Sequence, residues 1–387
     1  MEYIIQNQKD VNYGKIGLYI FCILPFLAIN GIKNNMPEAL YQTWQICSVG
    51  LMFLILAIKN TVWVNKFVKY FILYKVEVFL VTTIFKGFSY GILVVDLAAI
   101  FIILLMCIDY REILKALVFI GTFAGLINLY SIIKNTSADE IYFIGGKNSF
   151  SMFLIPMLFL SIINSNEKHG TIIEKVHFSN YFFVALCTYT IFWGASGSGI
   201  ISMITVLLLM FLFSKYKPNK LVVVGIIAFA NILLVFNSTS LFSSEKWIDF
   251  VEFLGKDATM TSRTLIWERA FNLLDGHYLF GIGRGSILEY KNFYDILQLK
   301  TEAHNLIVEL LLNGGIVGFI LFFSAVLSLI RKIDISQKKQ RYVFFAIIAM
   351  FVNGLTESIN NNYLLTILFA IGNYYCLCDA RKRSANE

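Results

Sequence analysis

The chain has 387 residues, of which 58% are hydrophobic and 15% charged, and its mean hydropathy is +0.70. A soluble domain carries roughly 25% charged residues, so the composition excludes a soluble globular protein and points to an integral membrane one. The net charge of +7 comes from Lys and Arg set in short segments between apolar runs. That is the arrangement that orients membrane spans, not a basic face for nucleic acid.

A helix of about 20 apolar residues crosses the hydrocarbon of a bilayer, and runs of that length recur along the chain. The first, Ile16–Asn30, has no small-residue cleavage pattern and reads as a first span rather than a removed signal. Further spans are expected near 42–58, 67–86, 90–108, 113–133, 149–164, 179–195, 198–214, 220–237, 315–331, 341–357 and 361–377. The ten-residue alternation of a membrane barrel is absent. The expected fold class is all-α, a polytopic helical membrane protein of about twelve transmembrane helices. It forms a single integral membrane domain over 1–387, with a large extracytoplasmic loop of short helices at 238–314.

The orientation follows from the loops. With the N-terminus in the cytoplasm, the inner segments collect Lys59, Lys66 and Lys69, then Lys215, Lys217 and Lys220, then Arg331, Lys332, Lys338, Lys339 and Arg341. The short outer segments hold only Lys33, Lys86, Lys134 and Lys147. Both termini then lie inside and the 238–314 insert outside.

Few ionisable residues interrupt the spans. Lys75, Glu77 and Asp96 do, and such residues are functional candidates by default. Lys75 and Glu77 are two apart and face different sides of a helix. Asp96 is expected to pair with Lys75 or Lys86, either as a structural ion pair or as a substrate contact. The small residues of Trp193–Ile200, WGASGSGI, read as a tight hairpin with close helix approach. Cys22, Cys47, Cys107 and Cys187 lie in apolar runs and Cys376 and Cys378 end the last one, with no metal-ligand spacing, so packing roles are expected.

The polar chemistry concentrates between Thr261 and Gly318, which holds Arg263, Arg269, His277, Arg284 and His304 beside Glu268, Glu289, Glu302 and Glu309. A helical pattern begins at Ser262, with Thr261 or Ser262 as N-cap and Gly276 as stop. Arg263 in its first turn opposes the helix dipole at a cost of about 0.3–1 kcal/mol. An anion held by Arg263, the Ser262 hydroxyl and the free N–H groups would remove the conflict, and phosphate or pyrophosphate fits. A salt bridge to Asp257 or Glu268 would remove it too.

Gly281 and Gly283 follow in GIGRG. No strand is expected before them, which excludes a dinucleotide fold. They either offer N–H groups to an anion, with Arg284 as a second fork, or form a plain loop with an exposed Arg. If Ala303–Leu312 is helical, Glu302, Asn305, Glu309 and Asn313 share a polar arc and His304 falls on the apolar side. There His304 is either a hydrogen-bonded packing residue or a buried, neutral general base. Gly314, Gly315 and Gly318 mark a bend before the next span.

Taken together, Arg263 and Trp267 in R-x3-W, Gly281 and Gly283 in G-x-G, and the run AHNLIVELLLNGGIVG from Ala303 to Gly318 resemble the O-antigen ligase and polymerase superfamily. The motifs run from Arg263 to Gly318, and the span layout extends the likeness over the whole chain. The resemblance implies a polytopic, metal-independent glycosyltransferase in the bacterial cytoplasmic (inner) membrane, acting on lipid-linked sugars at its outer face. His304 matches the family's proposed catalytic His and Arg263 its loop Arg. Many members carry Ser-Arg at the hairpin where this chain has Ser198-Gly199, so Arg284 is expected to take the missing part.

The reading that results is a polymerase of undecaprenyl-pyrophosphate-linked repeat units, making O-antigen, capsule or exopolysaccharide. His304 would deprotonate the acceptor hydroxyl, and Arg263, Arg284 and Ser262 would bind the pyrophosphate. Trp267, Gly281, Gly283, Asn305 and Glu309 would support them. No cofactor or metal and no nucleic acid is implied. The partners are the lipid-linked oligosaccharide, membrane lipids, and flippase and chain-length regulator proteins. A ligase moving finished glycan to another acceptor is the alternative within the class. A flippase would prefer a basic, solvated cavity inside the bundle, and a non-catalytic assembly partner leaves the pairing of His304 with Arg263 unexplained.

Overall fold

The computed structural model describes residues 12–59, 63–134, 142–168, 178–194, 196–216, 219–236, 263–285, 288–291, 298–359 and 362–386. Each expected span falls on a helix. In chain order these are α1 (Tyr13–Ile23, continued by a 3-10 turn at Leu24–Phe26), the short α2 (Asn30–Lys33), α3 (Glu38–Lys59), α4 (Lys66–Lys86) and α5 (Tyr90–Met106). Then come α6 (Tyr110–Lys134), α7 (Lys147–Lys168), α8 (Phe178–Trp193), α9 (Gly197–Lys215) and α10 (Lys220–Phe236). After the insert follow α12 (Leu306–Lys332), α13 (Lys338–Asn353) and α14 (Tyr363–Asn386). Among the described residues, five helices are long and apolar enough to cross a membrane by themselves, at 38–59, 110–134, 147–165, 306–332 and 363–381, and five shorter ones are apolar. The molecule is an all-α, polytopic membrane protein.

The helix starts have local causes. Asn65 accepts from Val68 N, Ser89 from Ile92 N and Ser196 from Gly199 N, each satisfying an amide that has no partner within its helix. Gly87, at φ +84°, ends α4. From Val343 to Val352 helix α13 is apolar all round and buried throughout, so this stretch forms the centre of the bundle. Helices α3, α4, α9 and α10 turn Phe53, Ile84, Leu207 and Phe229 outward. That is the residue type a lipid-facing surface takes.

The two kinds of connection gather at opposite helix ends. At one end Lys15 bonds Asp109 (2.9 Å), Asn65 bonds Asn373 (2.5 Å) and Gln340 bonds Asp379 (2.6 Å). The far ends of those helices meet a different set. Tyr41 reaches the Pro25 carbonyl beyond α1 (2.6 Å), and Thr82, late in α4, accepts from Arg284 N (2.9 Å). The first set belongs to segments rich in Lys and Arg and the second to the sparse ones, so the bundle separates them as the charge pattern requires.

Residues 238–262 of the insert, expected to belong to a loop of short helices, lie outside the described residues. The described residues of the insert contain the short helix α11 (Arg263–Leu274) and also an unexpected two-stranded antiparallel ribbon of β1 (Leu288–Lys291) and β2 (Gln298–Thr301), with Leu288 opposite Thr301. Helix α12 also begins inside the expected loop, at Leu306, and runs on through the glycines. The expected bend is a kink at Gly315 (φ +58°, ψ −155°). The segment after α11 fills that kink. Ile316 and Val317 donate to Tyr278 and Leu279, and Ile282 donates to the Leu312 carbonyl (2.8 Å).

Candidate functional site

The site is assembled on the turn between α13 and α14. Three hydrogen bonds fasten the chain entering α12 to that turn. Leu306 N donates to Gly354 O (2.8 Å), His304 N to Ser358 Oγ (3.1 Å) and Asn305 Nδ2 to Leu355 O (2.9 Å). Asn305 is also the N-cap of α12, accepting from Ile307 N and Val308 N, and it donates to Asn231 Oδ1 (2.7 Å). Trp267, fully buried on α11, donates its indole N–H to Ala303 O (2.9 Å). Through Ile266, Trp267, Ala270 and Leu274 against Val308 and Leu312, α11 packs onto the start of α12, and its first residue, Arg263, is carried to the same turn.

These attachments converge on Glu357, which is 4% exposed. Its Oε1 accepts from Arg263 Nη2 (2.9 Å) and from Asn148 Nδ2 (2.8 Å), and its Oε2 lies 3.4 Å from His304 Nδ1. A buried carboxylate would be costly without such partners. The hairpin joins in through Asn148, whose Oδ1 accepts from Ser196 Oγ (3.2 Å), with Ser198 Oγ a further 3.2 Å on. Gly199 permits the close approach, since a Cβ there would stand 2.9 Å from that of Ser151. The small residues of the hairpin therefore pack the helices closely and also extend the polar network.

His304 is not on a helix face. It precedes the N-cap with φ +47°, because the bonds to Ser358 and Gly354 hold the backbone on both sides of it. Its side chain is one-third exposed while Glu357 is buried, so the imidazole stands between the carboxylate and solvent. Arg263 does form an ion pair, with Glu357. Glu268 is exposed, and Asp257 and Ser262 lie outside the described residues.

Arg284 is not the exposed residue of a plain loop. Its Nη1 bonds Asp96 Oδ1 (2.9 Å), which also takes Lys75 Nζ (3.1 Å), and all three side chains are largely buried. Lys86 donates to the carbonyls of Gly283 and Arg284. Gly281 and Gly283 of GIGRG serve close packing. A Cβ on Gly281 would lie 2.6 Å from Leu312 O, and one on Gly283 2.6 Å from Thr82 Cα. Glu302, Glu309 and Asn313, three of the four residues on the expected polar arc, line one cavity together with Arg284. Among the described residues no cluster of His, Cys, Asp and Glu is arranged for a metal ion.

Glu357 and Asn148 have no part in the sequence reading. A signal for Glu357 exists: it is the only Asp, Glu, Lys or Arg between Arg341 and Asp379, and a lone ionisable residue between apolar runs is a functional candidate. Asn148 has no such signal.

A helical membrane bundle that gathers imidazole, carboxylate and guanidinium at one end of its helices has the parts for acid–base chemistry on an anionic substrate at a membrane surface. Residues 182–323 match the protein-family model described as O-Antigen ligase, and this supports the O-antigen ligase and polymerase superfamily as the family of that region. The match takes in Arg263, Trp267, Gly281, Gly283, Arg284, His304, Asn305 and Glu309, and stops short of Glu357. No curated protein matches the chain.

Proposed function

We propose that this protein is a glycosyltransferase that polymerises oligosaccharide repeat units carried on undecaprenyl pyrophosphate, at the outer face of the bacterial cytoplasmic membrane. The observation that carries the reading is the meeting of His304 and Arg263 on one carboxylate, Glu357. These are the two residues that the resemblance to O-antigen ligases and polymerases singles out.

In the reaction, the acceptor hydroxyl attacks the anomeric carbon of the growing glycan. Its proton passes to Nε2 of His304, and the bond from the anomeric carbon to the phosphate oxygen breaks with its electron pair leaving on the lipid pyrophosphate. Glu357 accepts a hydrogen bond from Nδ1–H of His304, which fixes the tautomer that presents a basic Nε2, and its charge then stabilises the imidazolium. Arg263 stabilises the departing pyrophosphate, its guanidinium held in place by Glu357. The anomeric carbon already carries a good leaving group, so a nucleotide sugar is not required.

Deletion of the gene, followed by gel analysis of surface and lipid-linked glycan, tests the reading. A polymerase mutant accumulates single lipid-linked units. Long chains retained on the carrier would instead show a ligase, and units trapped inside the cell a flippase.

A further inference from the structure

Arg284 lines a cavity of about 420 Å³ that opens beside Ala303, the residue before His304. That volume is within the range of small-ligand sites. Its charged lining is balanced, with Lys33 and Arg284 against Glu302 and Glu309. Arg284 is moreover committed to Asp96 at 2.9 Å. A pyrophosphate entering here would meet two carboxylates and no uncommitted guanidinium. The remaining lining suits hydroxyl groups. Glu309 and Asn313 are nearly buried, at 9% and 4% exposure, and Asn313 Nδ2 has no hydrogen-bond partner among the described residues. A buried amide nitrogen such as that of Asn313 is expensive to leave unmatched.

We infer that this cavity is a sugar-binding subsite for the acceptor repeat unit, taking neutral hydroxyls on Glu309 and Asn313 and leaving the lipid pyrophosphate to the Arg263 side. The inference rests on the glycan-transfer reading above, and it removes Arg284 from the pyrophosphate site. A carboxylate accepts from sugar hydroxyls and an amide nitrogen donates to them, the paired use that makes polyol recognition selective. The subsite adjoins His304 through Ala303, so an acceptor held there presents a hydroxyl toward the imidazole.

The test uses the full-length protein in detergent. The probe is the repeat-unit oligosaccharide freed by mild acid from the lipid-linked pool of producing cells, with inorganic pyrophosphate as competitor. The oligosaccharide should bind the wild type and should not be displaced by pyrophosphate. Glu309→Gln and Asn313→Ala should each weaken binding about tenfold or more. In membranes, a photoreactive benzoylphenylalanine in place of Lys33, an exposed residue of the cavity lining, should crosslink to sugar-labelled lipid-linked unit with Glu309 and Asn313 left intact. Displacement by pyrophosphate, unchanged sugar binding in the folded variants, or no crosslinked glycan would each overturn the inference. The function reading fails separately, if His304→Ala cells make normal polymer whatever the cavity binds.

Discussion

Arg263 Nη2 and His304 Nδ1 reach the two oxygens of a single carboxylate, Glu357, at 2.9 and 3.4 Å. One residue therefore sets the position of both. Glu357→Gln should keep a carbonyl oxygen for Arg263 but lose the acceptor that fixes the imidazole tautomer. Activity is expected to fall about 10²–10⁴-fold with little loss of protein. Glu357→Ala leaves a largely buried guanidinium without its partner and should cost about 3–5 kcal/mol of stability as well. Polymer yield and membrane abundance, measured on the same cells, separate the two. Full activity in Glu357→Gln would dismiss the dyad.

His304→Ala should abolish polymer, a loss of about 10²–10⁴-fold in rate, without abolishing the protein. The positive φ of His304 adds a second expectation. A left-handed backbone costs an L-residue about 1–2 kcal/mol and costs glycine nothing comparable. His304→Gly should therefore melt higher than His304→Ala in detergent while being equally inactive. Equal melting temperatures would show that the backbone is not strained there. His277→Ala, whose ring packs edge-on against Phe85 outside the Glu357 cluster, should make normal polymer.

Arg263→Lys keeps a charge for Glu357 but not the planar fork that matches a phosphate. Most activity should be lost while the protein remains folded. Arg284→Ala should act differently, since it strips the buried Asp96 of one of its two cationic partners and should lower abundance. Activity per molecule compared with melting temperature would show which residue serves substrate and which serves the bundle.

Gly281 and Gly276 share a left-handed backbone, at φ +71° and +75°, but not their surroundings. A Cβ at 281 would strike Leu312 O and the amide of Gly315, whereas at 276 nothing lies within 4 Å. Gly276→Ala should cost about 1–2 kcal/mol from backbone strain alone. Gly281→Ala should cost clearly more, because neither helix backbone can give way. Thermal melts of the two purified variants would decide, and equal losses would refute the close approach.

Reporter fusions after Gly285 and after Ser336 should read outside and inside, respectively. The positive-inside bias sets that orientation, and the reverse result would put the Glu357 cluster on the wrong face for the proposed reaction.

The apolar runs by themselves determined where the described spans are helical, because a backbone in hydrocarbon must satisfy its own hydrogen bonds and a helix is the way for a single segment to do it. The caps at Asn65, Ser89 and Asn305 were likewise local matters, a short side chain reaching an amide two or three residues on. Arg263 and His304 were legible as candidates through their motif, but their meeting was not. It depends on the turn at Gly354–Ser358, remote in sequence, which binds the chain at 304–306 and supplies Glu357. Arg284 shows the same limit from the other side. Its loop looked exposed because the glycines around it carry no sign of what they touch, and only the kink at Gly315 and the backbone of Thr82 explain them. Periodicity records which face of a helix is buried. It carries no record of which loop another helix brings to that face, and here the packing of α11 and α12 against the turn before α14 decided it.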